Sequence, residues 1–266
     1  MLPTLKWIGG KKEQLKYIIP HILENLKKAN VYIEPFVGGG SVIIELLKQC
    51  LKNDIFDKTF KCYDINEILI EMFNEIKDEP EELIRKLKVI EHQNSKEDYL
   101  RIRDEYNANP TADKFIYLNR MGFRGLYQVN KNNQFNVSFG HHKYPKVFRE
   151  ENIRELSRLF NMFDVSFEVA DYCDIDYDND AVIYLDPPYY GVDIKYTKDK
   201  FNHTKYVKYL KKLLEHNCTV IHSNSTMFKD VYKMDEHETV EEIVLWDRIN
   251  SKNPGKTRTE LLYYTP

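Results

Sequence analysis

Short runs of β-branched and aromatic residues alternate along this chain with stretches whose apolar residues recur at helical spacing. This alternation limits the fold more than any other feature. The strand-like runs are VYIEPF (31–36), FKCYDI (60–65), VSFEVAD (165–171), AVIYLD (181–186), TVIHSN (219–224), EEIVLW (241–246) and ELLYYT (260–265). Helical spacing marks 11–29, 41–52, 66–77, 149–163 and 203–216. The order predicts an open α/β sheet of Rossmann-like type with helices on its faces. Between residues 78 and 145 the alternation stops, and the chain becomes helical and charged, then rich in Gly and Asn. The expected division is therefore a sheet domain over 1–77 and 146–266, with an inserted, mainly helical domain over 78–145.

Composition excludes several classes. No apolar run approaches the roughly 18 residues that cross a bilayer, and MLPTLKWIGGKK lacks the apolar core of a signal peptide, so a cytoplasmic chain without a membrane partner is expected. Cys50, Cys62, Cys173 and Cys218 are far apart with no CxxC pair, which predicts packed thiols rather than a disulfide framework or a zinc site. His141-His142 has no acid at ligand spacing, and Ser223 beside His222 lacks a nucleophile-elbow motif, so neither a metal centre nor a triad is expected. The formal net charge is -3, but residues 111–150 carry seven basic side chains against two acidic ones, a local excess of +5. A local patch of that sign suits a polyanion.

The first strand-like run feeds directly into FVGGGSVIIELL, residues 36–47. Glycines at a strand-to-helix turn let the backbone approach a ligand, and the following helix offers free N–H groups. Gly38, Gly39, Gly40 and Ser41 are thus candidate ligand-loop residues. The second run ends in YDIN, which puts Asp64 where an acid commonly binds ribose hydroxyls. Counting GxGxxG from Gly38 and Gly40 reaches Ile43, so the dinucleotide fingerprint is broken, and no Walker A loop is present. The loop suits a nucleoside without phosphates. S-adenosylmethionine is such a ligand, its ribose met by Asp64 and its sulfonium by an aromatic face such as Phe36.

YLDPPYYG, residues 184–191, follows a run that reads as a buried strand. Two prolines hold the chain extended and stiff beyond the strand end, where ligands of open α/β sheets lie. The Asp186 carboxylate, the Pro187 carbonyl and the Tyr189 ring then project together, with Pro188 stiffening the turn. Two acceptors and one flat ring match an exocyclic amino group on a planar base. The lone pair of such an amine is delocalised into the ring. Accepting both of its N–H bonds favours a pyramidal nitrogen and stabilises positive charge as it develops in transfer.

With these residues in view, the sequence resembles the DNA adenine-N6 methyltransferases of the Dam type, the alpha group of amino-methyltransferases. LKWIGGK (5–11), YIEPFVGGGSV (32–42), LNRMGFRGLYQVNKNNQFNVSFG (118–140) and YLDPPYYG (184–191) are similar to its N-terminal cofactor motif, glycine loop, DNA-reading segment and catalytic motif. RINSKNPGKTRTELLYY (248–264) is similar to its basic C-terminal hairpin. The resemblance implies S-adenosylmethionine as cofactor, with S-adenosylhomocysteine as product. It implies cofactor contacts from Trp7, Lys11, Asp64 and Asp186, with Phe36 and the glycine loop on the methionine and Asp171 near the cofactor adenine. Asp186, Pro187 and Tyr189 would form the target-adenine clamp.

The implied partner is double-stranded DNA, with a base turned out into the pocket. Arg120 and Arg124 suit phosphates, while Phe123, Leu126, Tyr127, Gln128 and Asn136 suit intercalation or reading of base edges, and Lys6 reaches toward a base. Gln128 stands where the family often has arginine, and Ser138 where it has proline. Arginine prefers guanine and glutamine adenine, which leaves the recognised sequence open. Cytosine N4, RNA or a glutamine amide as acceptor, and a catalytically silent DNA-binding module, remain alternatives at this stage. A cognate restriction enzyme as partner and the oligomeric state are also left open.

Overall fold

The computed structural model describes residues 5, 7, 10–142, 146–177, 179–192, 200–246 and 257–265. Seven strands form one sheet: β1 (Val31–Glu34), β2 (Thr59–Asp64), β3 (Asp164–Val169), β4 (Val182–Leu185), β5 (Thr219–Ser225), β6 (Thr239–Trp246) and β7 (Thr257–Tyr264). Their order is β3-β2-β1-β4-β5-β7-β6, with the first five parallel and β7 antiparallel to both its neighbours. Each of the seven strand-like runs thus becomes a strand. So do the five helical stretches become helices: α1 (Leu15–Leu26), α2 (Ser41–Lys52), α3 (Glu67–Asp78), α7 (Glu150–Asn161) and α8 (His203–Leu214).

All four residues of β4 are buried, as expected for a central parallel strand covered on both faces. Side chains alternate across the sheet. Tyr32, Tyr184, Ile221 and Leu262 face the core beneath α1, α2, α3 and α7. Ile33, Ile183, Leu185, Val220 and Leu261 face Tyr206, Leu210 and Leu213 of α8.

From β1 the chain winds outward through β2 to β3, and β4 then returns to the other side of β1. The strand order reverses there, so the loops after β1 and β4 diverge and leave a crevice beyond their carboxyl ends. The register pairs Ile33 with Ile183, so Phe36 and Asp186 each stand three residues past that pair on neighbouring strands.

The segment between α3 and α7 contains α4 (Pro80–Ile90), α5 (Lys96–Ala108) and α6 (Ala112–Met121). Local signals start these helices. Pro80 opens α4 with Glu81 and Glu82 in its first turn, and Ser95 with Asp98 makes a capping box for α5. Their buried residues, among them Leu83, Leu87, Tyr99, Ile102 and Phe115, are continuous with the core under α2 and α3. After α6 the chain makes a narrow two-stranded excursion, with bridges between Gly122 and Phe139 and between Val129 and Phe135. Tyr99 of α5 donates to the Val137 carbonyl at 2.9 Å, and Asn107 exchanges two hydrogen bonds with the Phe135 backbone. These contacts tie the excursion to the helices.

Candidate active site

The glycine loop is shaped by what lies against it. Gly38 and Gly40 have φ of 48° and 73°, which glycine adopts without strain. A Cβ on Gly39 would lie 2.6 Å from Trp7 Cβ, and one on Gly40 2.8 Å from the Phe73 ring. Trp7 therefore rests on the loop, and its ring stacks on Tyr127 at 5.6 Å between centroids. Ser41 is the first residue of α2, whose opening amides have no side-chain cap.

Asp64, at the end of β2, closes the loop from the other side. The Gly38 and Asn66 backbone N–H groups each donate to its carboxylate at 3.0 Å. Burial raises its pKa to about 6, against the lowering effect of those N–H groups. Ile65, directly after it, is 56% exposed. Asp171 follows β3 and accepts from the Cys173 N–H at 3.0 Å. The Ala170 N–H bonds the Asp64 carbonyl, so the two acids flank one end of the crevice. Phe36 packs on the α8 side of the sheet, 5.2 Å from Tyr172 and 6.0 Å from Phe201 between centroids.

On the β4 side, Lys11 is 3% exposed. Its ammonium lies 2.7 Å from Asp186 Oδ1, an ion pair outside the angle of an aligned hydrogen bond, and donates to the Tyr189 hydroxyl at 2.7 Å. Burial raises the Asp186 pKa to about 6, and Lys11 opposes the rise. Pro187 is buried and Pro188 half-buried. The next residue is also held: the Tyr190 N–H donates to Asn224 Oδ1 at 3.0 Å, and Ser225 Oγ to the Tyr190 carbonyl at 2.6 Å. A stiff loop carrying an acid is thus clamped to β5, while the glycine loop is held by a second acid, Asp64, from the end of β2.

Alternation divides the excursion after α6. Tyr127, Val129, Phe135 and Val137 point inward, while Phe123, Leu126, Gln128, Asn136 and Ser138 line an open cavity of about 550 Å³ with Val137 at its base. Arg124 sits beside Phe123, its guanidinium 5.2 Å from the ring centroid. Tyr127 is not on that face. It is 9% exposed and covers Trp7, because its register position is one of the inward ones. Arg120 is also elsewhere, its guanidinium against the Lys146 carbonyl. Lys6 and the whole 248–256 stretch of the basic hairpin lie outside the described residues. Among the described residues no group of three or more His, Cys, Asp or Glu side chains could hold a metal. No described helix is long and apolar enough to cross a membrane.

The family model for D12 class N6 adenine-specific DNA methyltransferases matches residues 7–247. The chain belongs to that family. It is 32% identical to the type II methyltransferase M.MjaIII of Methanocaldococcus jannaschii, over 98% of this chain and 96% of that protein. It is 31% identical to the type II methyltransferase M1.LlaDCHI of Lactococcus lactis, over 87% of this chain and 84% of that protein. The DNA adenine methylase of Vibrio cholerae is 36% identical over 70% of this chain and 64% of its own length.

The methyltransferase also contains polar groups at the site that residue patterns did not mark. Glu34 is 2% exposed, accepts from the Tyr32 hydroxyl at 3.0 Å, and is pushed well above the carboxylate range by burial. Asn224 and Glu260 reach the loop after β4 from β5 and β7. Only Asn224 carried a sequence signal, as a polar residue at the end of a buried strand. Glu260 sits in an apolar run, where nothing local distinguishes it.

Proposed function

We propose that this chain transfers a methyl group from S-adenosylmethionine to N6 of an adenine turned out of double-stranded DNA. The observation that carries this reading is the placement of Asp64 at the end of β2 and Asp186 just past β4, on either side of β1, both acting on the buried Glu34 of that strand, with Asp64 held by two backbone N–H groups and the loop after Asp186 clamped to β5. The residues suit the cofactor. Asp64 is a half-buried carboxylate held by amides rather than a cation, with an apolar Ile65 left in solvent beside it, which fits a nucleoside. Lys11 is committed to Asp186, so the loop side has no described cation directed at phosphates.

Asp64 would accept from the ribose hydroxyls, Phe36 and Gly38, Gly39, Gly40 and Ser41 would line the methionine, and Asp171 and Ile65 would border the adenine. Trp7 holds the loop in shape. When bound, the cofactor supplies a methyl carbon made electrophilic by its sulfonium. Asp186 and the Pro187 carbonyl accept the two N6 hydrogens of the target, with Tyr189 against the base. The N6 lone pair forms the new N–C bond as the C–S bond breaks. The positive charge that reaches nitrogen would be stabilised by the Asp186 carboxylate, the thioether product would keep the C–S electron pair, and the surplus N6 proton would pass to solvent. Asp186 must be ionised, so transfer should fall as pH drops through about 6.

Residues 78–145 serve in this reading as the target-recognition region. Phe123 enters the stack, while Leu126, Gln128, Asn136 and Ser138 meet base edges and Arg124 meets phosphates. A cognate restriction enzyme as partner is supported only by the type II names of two relatives. The compartment is whichever one holds the DNA.

The test is transfer of labelled methyl to unmethylated duplex, with product analysis for N6-methyladenine. Asp186→Ala should abolish transfer while DNA binding survives. Label in RNA, protein or N4-methylcytosine, with none in adenine, would overturn the reading.

A further inference from the structure

Strand β7 brings to the site a carboxylate that the transfer chemistry does not use. Glu260 is 8% exposed, and three groups serve it. Gln14 Nε2 and the Tyr189 hydroxyl donate to Oε2 at 2.9 and 3.0 Å, and Arg258 Nε lies 3.1 Å from Oε1. The same Tyr189 hydroxyl accepts from Lys11, and Lys11 pairs with Asp186. A continuous line of contacts therefore runs from Arg258 through Glu260, Tyr189 and Lys11 to the acid of the DPPY motif. Burying a carboxylate is unfavourable unless its partners are well placed, and an apolar residue would fill the same space more stably. Its effect must lie in what it fixes.

Two strands grip the loop at consecutive residues. β5 holds the Tyr190 backbone through Asn224, and β7 holds the Tyr189 side chain through Glu260. The ring of Tyr189 is thus tethered at its far end, which phenylalanine would not allow. We propose that Glu260 is a positioning residue for methyl transfer: by fixing the Tyr189 hydroxyl, and through it the Lys11 ammonium, it sets the pose of the ring against the target base and the pairing of Asp186. This rests on the reading of Asp186, Pro187 and Tyr189 as the clamp on the target amine.

The charged and titratable groups facing Asp186 are Lys11, Tyr189, Glu260, Glu34 from β1, Tyr184 from β4 and Tyr206 from α8. Glu260 carries negative charge that opposes ionisation of Asp186, so neutralising it should move the acid limb of the rate to lower pH.

The experiment compares wild type, Glu260→Gln, Tyr189→Phe and the double variant in single-turnover methyl transfer to duplex DNA, with cofactor and DNA saturating and across pH. Each single variant should lose about ten- to a hundredfold in rate. The double variant should be no slower than the slower single, because Tyr189→Phe removes the donor of the hydrogen bond whose charged acceptor Glu260→Gln neutralises. The limb should shift to lower pH in Glu260→Gln. An undiminished rate, losses that multiply, or a limb that stays in place would overturn the proposal. If Glu260→Gln melts early, Tyr189→Phe decides alone: it removes the hydroxyl that joins Glu260 to Lys11 and leaves both charges in place, and a wild-type rate in it overturns the proposal. Wild-type enzyme that leaves duplex adenine unmethylated would instead defeat the underlying reading.

Discussion

Replacing Lys11 with methionine removes the buried positive charge beside Asp186 while keeping an unbranched side chain of similar reach. At the observed 2.7 Å the gross attraction between the charges is roughly 6 kcal/mol at an effective dielectric of about 20. The variant should not lose all of this, because a stranded carboxylate takes up a proton instead. An opposite charge at this range typically shifts a carboxyl by about one to three pH units. The Asp186 pKa of about 6 in the intact site should therefore rise into the neutral or alkaline range.

The sign is fixed by the chemistry. Only the ionised carboxylate stabilises charge on the target nitrogen, so the acid limb of single-turnover transfer should move upward. At pH 7 a pKa raised by about one unit leaves roughly half of Asp186 ionised, and one raised by about two leaves roughly a tenth. The deficit should shrink as pH rises further. The assay is labelled-methyl transfer from about pH 5 to about pH 9, at saturating cofactor. A rate lowered by one constant factor at every pH, with the limb still near 6, would refute the argument and make Lys11 a cofactor contact alone.

Four further outcomes are expected. Cofactor affinity should weaken as pH falls through about 6, where Asp64 takes up its proton, and Asp64→Asn should bind about ten- to a hundredfold more weakly with little pH dependence; titration calorimetry reads both. Gly39→Ala should lower stability by about 1–3 kcal/mol in thermal melts, because its Cβ meets Trp7 Cβ at 2.6 Å, and Trp7→Ala should relieve part of the loss. Gln128→Ala should relax base preference at one position of the recognised sequence by about 1–3 kcal/mol, measured by competing duplexes, while transfer to the best site persists. Glu238→Ala should cost about 1–3 kcal/mol in denaturant melts, since it leaves the fully buried His222 ring nitrogen and the Tyr232 hydroxyl without their acceptor, and should leave the acid limb where it was.

The sequence alone determined the sheet, its flanking helices and the two loops that matter, because each depends on local physics. Period-2 and helical apolar spacing decide which face is buried, and Gly38 to Gly40 and Pro187-Pro188 restrict the backbone wherever they stand. The family resemblance names Phe123, Leu126, Tyr127, Gln128, Asn136 and Ser138 together, and only the folded excursion, with its bridge at Val129 and Phe135, divides them into a cavity-facing set and an inward Tyr127 stacked on Trp7. Glu260 and Gln14 are 246 residues apart in sequence, and Lys11 and Tyr189 are 178 apart. No local signal encodes such pairs. They exist because β7 inserts antiparallel between β5 and β6, and because β4 returns beside β1, bringing together charges that only the folded sheet makes neighbours.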